Sequence, residues 1–246
     1  MALFSAPALA LAAEPTTYTG TPVTVGNGTA HLVVSTTAAG DPASVSVVLS
    51  RAALEGLPNA EPGRMAWEFT VPMPEDGPYT GFDHVVLDWN PAGHPPSGVY
   101  SVPHFDVHFY LITPEERETV SFQGADRDQA LAPPEAALVP AGYVVPPDTA
   151  VEHMGLHGVD PAGGEFHGAP FSHTFIYGYY KGALTFVEPM VSLAFLQSRP
   201  EVTTAVAKPL RYSYPGWYPT GYRIGFDAGR DEITVSLQNL ERFNGF

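Results

Sequence analysis

Pro103-His104-Phe105-Asp106-Val107-His108-Phe109-Tyr110 decides how this chain is read. Side chains along a strand alternate between its two faces. The segment therefore sets Phe105, Val107, Phe109 and the following Leu111 on one side, and His104, Asp106, His108 and Tyr110 on the other. The apolar row needs a core to pack against. The opposite row is not that of a merely solvated strand, which carries Thr, Lys, Glu or Ser. His, Asp and Tyr are side chains that ligate metals and move protons.

The same alternation recurs on both sides of this segment. His31-Leu-Val-Val-Ser and Ser44-Val-Ser-Val-Val-Leu flank a turn at Ala39-Gly-Asp-Pro-Ala. Met65, Trp67, Phe69 and Val71 alternate with polar residues, and Phe82 to Trp89 forms another strand. The longest strand candidate runs from Val99 to Ile112. Phe171–Tyr180 and Ala183–Leu196 pair around Lys181-Gly182, and Tyr222–Phe226 and Glu232–Leu237 close a hairpin over Asp227-Ala-Gly-Arg. Helix signals are short. Ser50 can cap a short helix over Arg51–Glu55, and Thr113, Pro114 and Glu116 fit a capping box. Gly and Pro make up 24 and 26 of the 246 residues while 44% are hydrophobic, a composition of many short strands and turns around a real core. The expected fold is all-β, a barrel or sandwich of mostly antiparallel strands with two or three short helices. With no repeat and no composition break, 14–246 reads as a single β-rich domain.

Charge and composition exclude several partners. Lys and Arg total 11 against 26 Asp and Glu, a net charge of −15. No basic cluster is available to track phosphates, so nucleic acid and an anionic membrane surface are excluded as partners. There is no Cys, which removes thiol chemistry, disulfides and thiolate metal sites. The body of the chain has no apolar run of membrane-spanning length. Residues 1–13, MALFSAPALALAA, read as a signal-peptide remnant with small-residue cleavage patterns at Ala8-Leu-Ala and Ala10-Leu-Ala, giving a periplasmic or secreted location.

Nine His in so uncharged a chain point to a polar site. Along a strand, His104 and His108 lie about 13 Å apart at Cα, too far to share an ion without a bulge. A metal would take His104 with Asp106, or Asp106 with His108, leaving Asp106 the alternative role of orienting an imidazole. Glu152-His-Met-Gly-Leu-His157 spaces two His by four, but Gly155 and Gly158 argue against a helix there, and the zincin Glu is missing. Glu188 sits in an apolar strand between Val187 and Pro189, where an acid must be paired, protonated or metal-bound. His94, between Gly and Pro, reads as a loop anchor, and Glu165 is a weaker candidate. The metal-site candidates are His104, Asp106, His108, His157 and Glu188, for a divalent ion among which Zn, Mn, Fe and Cu are not distinguished. Two or three His with one or two carboxylates suit a mononuclear first-row site of the kind cupin barrels hold, although the cupin H-x-H pair is absent. A separate aromatic group, with Trp217 and Tyr218 at its centre, could stack on a sugar or another flat small molecule.

Trp89-Asn-Pro-Ala-Gly-His94, the Pro103–Tyr110 segment, Met154-Gly-Leu-His157, Phe175-Ile-Tyr-Gly178 and Phe186-Val-Glu-Pro-Met190 resemble the successive blocks of a secreted bacterial domain family of unknown function. That family was first described in a Thermus thermophilus protein under extracytoplasmic sigma-factor control. The resemblance implies export and a homo-oligomer, carries no reaction, and raises His104, Asp106, His108, His157 and Glu188 above His153. The functional expectation is an exported metal-binding protein, a metalloenzyme activating water or oxygen. Its alternatives are a non-catalytic module for a small molecule or carbohydrate and a structural homo-oligomer with His at its interfaces.

Overall fold

The computed structural model describes residues 14–245, so the signal-peptide reading of 1–13 lies outside the described residues. The chain opens with the short strands β1 (Thr17–Thr19) and β2 (Val23–Val25), followed by the longer pair β3 (Gly28–Thr36) and β4 (Pro42–Ser50). Next come β5 (Trp67–Pro72), β6 (His84–Asn90) and β7 (His104–Tyr110), then helices α1 (Pro114–Glu118) and α2 (Arg127–Ala130). β8 (Ala150–Val151) and β9 (Gly155–Gly158) precede the hairpin of β10 (His173–Tyr180) and β11 (Ala183–Ser192), which runs into α3 (Leu193–Gln197). β12 (Glu201–Ala205), β13 (Gly216–Tyr218), β14 (Gly221–Asp227), β15 (Glu232–Gln238) and β16 (Glu241–Phe243) complete the chain.

One sheet runs β1-β3-β4-β15-β14-β12, with β2 also on β3; a second, curled as a half-barrel, runs β5-β6-β7-β11-β10-β9-β8. All pairings are antiparallel, and β13 with β16 forms a separate ribbon. The all-β expectation with three short helices is met. In the first sheet, Val45, Val47 and Leu49 lie opposite Leu237, Val235 and Ile233 and are excluded from solvent. They share one continuous core with Val85, Leu87, Phe105, Val107, Phe109, Val187 and Val191 of the second sheet. Phe175 and Tyr222, one from each sheet, meet with ring centroids 5.4 Å apart.

Several local expectations need correction. The strand expected over Val99–Ile112 is confined to β7; Tyr100 instead lies in the preceding loop, packed edge-on against Phe171 at 5.0 Å. Arg51–Leu54 is a 3-10 turn that Ser50 does not cap, because its Oγ accepts the Thr29 N–H of the neighbouring strand at 3.0 Å. The strand expected to continue to Leu196 ends at Ser192, whose Oγ accepts the Phe195 N–H at 3.2 Å and starts α3. The capping box forms as expected: Thr113 Oγ1 accepts from Glu116 N at 3.2 Å, and Glu116 Oε2 accepts from Thr113 N at 2.9 Å.

Both faces of β7 are buried, and so are both faces of β6. The face turned away from the apolar core is the one that carries the polar row. Antiparallel partners share a face, and the register places Asn90, Asp88, Val86 and His84 of β6 opposite His104, Asp106, His108 and Tyr110. On the other side, Ser192, Met190 and Phe186 of β11 stand opposite His104, Asp106 and Tyr110. Glu188 lies on the same face through its partner Ile176, and His157 through its partner Gly178. A loop and a helix cover this row: Phe171 packs on His104 at 5.6 Å, and the guanidinium of Arg117 in α1 stands 5.3 Å from the Tyr110 ring.

Candidate metal centre

The polar face resolves into two groups of donors. In the first, His94, His104 and Asp106 each offer an atom within 4.8 Å of the others. Asp106 stands mid-strand on β7; His104 Nε2 lies 3.1 Å from its Oδ1, and His94 Nε2 lies 3.3 Å from its Oδ2. Asn90 on the neighbouring strand donates its Nδ2–H to Asp106 Oδ2 at 2.8 Å, fixing the carboxylate plane. In the second group, His108, His157 and Glu188 come within the same 4.8 Å. His108 Nε2 lies 3.6 Å from Glu188 Oε2, and His108 Nδ1 lies 2.9 Å from Asp88 Oδ2 on β6. With metal–ligand bonds of about 2.1 Å, two ligand atoms lie about 3.0 Å apart at a right angle and about 3.4 Å apart at a tetrahedral one. The His104–Asp106, His94–Asp106 and His108–Glu188 separations of 3.1, 3.3 and 3.6 Å fall around those values.

Gly178 shapes the second group. It lies between His157 and Phe186 in the sheet, and a Cβ there would run into the Phe186 ring. Without one, the ring drops into the gap and packs edge-on against both imidazoles, at 4.6 Å from His108 and 5.3 Å from His157.

The orientation of the imidazoles is informative. A backbone carbonyl only accepts, so a ring nitrogen facing one must carry the hydrogen. Nδ1 of His94 faces Pro95 O at 2.7 Å, Nδ1 of His104 faces Val102 O at 2.7 Å, and Nδ1 of His157 faces Thr149 O at 2.8 Å. His108 Nδ1 faces the Asp88 carboxylate instead. In the neutral imidazole each of these arrangements leaves Nε2 with its lone pair. Holding one nitrogen by a carbonyl or carboxylate while the other is bare is how proteins orient metal-ligating His. Close as they are, His104 Nε2, Asp106 Oδ1, both ring nitrogens of His108, both carboxylate oxygens of Asp88 and Glu188 Oε2 are buried without an aligned hydrogen bond. Buried polar atoms seldom remain so without a role.

Charge points the same way. The ion pairs of Asp88, Asp106 and Glu188 are all with imidazoles; no Lys or Arg joins them among the described residues. Burial raises Asp88, and it raises Glu188 to about 8. Burial also pushes Asp106 up, but the His104 and His94 imidazoles outweigh it and hold the carboxyl well below the usual range. Burial lowers His108, yet Glu188 and Asp88 together lift it to about 9; in the same way Asp106 overcomes the burial of His94 and lifts it to about 9. His157, buried beside His108, is lowered to about 4. The acids of this face thus favour protons on His94 and His108, and a metal ion would bind by taking the place of those protons.

All five metal-ligand candidates from the sequence reach this face, but not as one shell. The strand spacing separates His104 with Asp106 from His108, and His157 and Glu188 join His108 only. His94, read as a loop anchor, does anchor its loop through Nδ1 and also turns Nε2 to Asp106. Asp88 was missed, although it interrupts an apolar strand as Glu188 does. His153 lies apart with a positive φ of 63°, its Nδ1 3.7 Å from Glu118 Oε2. Glu165 is half-buried on a 3-10 turn and belongs to neither group. Tyr218, one of the expected ligand-stacking pair, is 1% exposed and lies flat on Tyr212 at 3.5 Å, so it packs the interior; Trp217 is half-buried. His104 and His108 are sealed in the chain's own interior, which removes them as interface residues. No helix among the described residues is long and apolar enough to cross a membrane.

Comparison with known proteins adds one finding. Residues 37–89 match the model of a family named TTHB210-like and described as hypothetical protein TTHB210. The stretch runs from the β3–β4 turn to Trp89 in β6, and so contains Asp88 but none of the six grouped residues. No curated protein and no solved structure matches. On this match the chain is similar to the TTHB210-like family, a Thermus-derived domain family of unknown function.

Proposed function

We propose that the protein is an exported metal-binding protein whose centre is the buried His and carboxylate face of the second sheet, taking a divalent first-row ion. One observation carries this reading: His94, His104 and His157 each have Nδ1 held by a backbone carbonyl, and these imidazoles, with His108, stand in two close groups with the buried carboxylates of Asp106 and Glu188. Nitrogen and oxygen donors without thiolate suit Zn, Mn, Fe or Cu. Export is supported by the apolar, small-residue composition of 1–13. Two imidazoles and one carboxylate leave coordination positions open, which supports a metalloenzyme that activates water or oxygen.

The test is elemental analysis of untagged protein, with thermal melting in the presence of Zn, Mn, Fe or Cu salts. Stoichiometric metal, or a rise in melting temperature with one of these ions, is expected. Protein that carries no metal and melts unchanged with all four would remove the reading.

A further inference from the structure

We infer that the centre holds two ions, one in each triad, and not a single ion in a shared shell. This rests on the metal-binding reading and goes beyond it in stoichiometry and in the assignment of ligands. His94, His104 and Asp106 form one set of two imidazoles and a carboxylate; His108, His157 and Glu188 form another, and no residue belongs to both. β7 makes sharing impractical, since His104 and His108 are four residues apart on a regular strand and about 13 Å apart at Cα. Each set also has its own supports. Val102 O and Pro95 O hold the first pair of imidazoles and Asn90 the first carboxylate; in the second set Thr149 O holds His157, and Asp88 stands 2.9 Å from His108 Nδ1. Each set, moreover, contains its own buried atoms without an aligned partner: His104 Nε2 and Asp106 Oδ1 in the first, His108 Nε2 and Glu188 Oε2 in the second. An ion in one triad would leave the other pair unanswered. Both sets call for the same cofactor class, a borderline divalent cation that accepts nitrogen and oxygen together.

The experiment is a Co(II) titration of metal-free wild-type protein followed by visible absorption, repeated with Zn(II) and elemental analysis. His94→Ala and His157→Ala each remove one ligand from one triad, and circular dichroism checks their folding. The expected result is two equivalents bound by the wild type, about one by either variant and none by the double variant. One equivalent in the wild type overturns the two-ion assignment even if neither variant folds, as do two equivalents in both variants. No binding of either metal by the wild type would instead defeat the metal-binding reading itself.

Discussion

Replacing Gly178 by Ala tests how the sheet builds the second triad. The backbone there is not in the left-handed region, so strain in the main chain contributes nothing and the effect is steric. The added methyl would meet the Phe186 ring, which must retreat by roughly 1.5–2 Å to restore an ordinary carbon–carbon separation of about 3.5–4.0 Å. It has nowhere free to go. Phe186 is fully buried, with Tyr110 at 5.4 Å, His108 at 4.6 Å and His157 at 5.3 Å between ring centroids. Overpacking of this kind costs about 1–3 kcal/mol. Urea unfolding of Gly178→Ala should therefore show a lower midpoint at an unchanged slope. Because the displaced ring leans on two ligands of one triad, the variant should also lose affinity there while the His94 triad keeps its own. Phe186→Leu, which shortens the obstacle, should partly rescue Gly178→Ala, giving a coupling of about 0.5–3 kcal/mol in a double-mutant cycle. A Gly178→Ala variant as stable as wild type, or losses that simply add, would refute the argument.

Three further outcomes follow from other contacts. Asp88→Asn keeps the shape beside His108 Nδ1 but removes the charge that orients it, and should weaken metal binding at that triad about 10–100-fold with the His94 triad unaffected, as measured by competition with a chelator. Thr113→Ala removes the hydroxyl that accepts from Glu116 N–H in the capping box on α1, while the backbone N–H of residue 113 can still donate to Glu116; it should cost about 1 kcal/mol in chemical denaturation, an effect that Thr113→Ser should largely avoid. His173 is lowered by burial and sits with Nδ1 2.6 Å from the Tyr222 hydroxyl. The fold thus prefers its neutral form, so the contribution is full above the unfolded value of about 6.5 and is lost as pH falls below it toward the folded value. The denaturation midpoint of His173→Gln should decline less steeply than that of wild type from pH 7 to 5, and parallel curves would count against the assignment.

The parts of this molecule legible in its sequence are those set by local rules. Alternation along Pro103–Tyr110 gave the two faces of β7, spacing around Lys181-Gly182 gave the β10–β11 hairpin, and Thr113 with Glu116 gave the start of α1. What escaped depends on registers between distant segments. His94 joins Asp106 only because the loop after β6 folds back over the sheet, and its Gly and Pro neighbours speak for the loop alone. The division into two triads follows from which strands lie beside β7, which alternation cannot supply. Asp88 was within reach, since an acid among Val85, Val86, Leu87 and Trp89 carries the same signal as Glu188. Tyr218 misled because exposure and burial look alike in a run of aromatics; its partner Tyr212 lies six residues away across an irregular loop.

The central strand of the second sheet is interior on both sides, and its two sides do separate work. Odd-numbered residues from 105 to 109 secure folding against the opposite sheet, whereas even-numbered ones from 104 to 108 present donors beneath the loops. A substitution among the even-numbered donors therefore leaves the row that packs on the opposite sheet in place. What the polar side does and what keeps the two sheets together are thus separable by mutation.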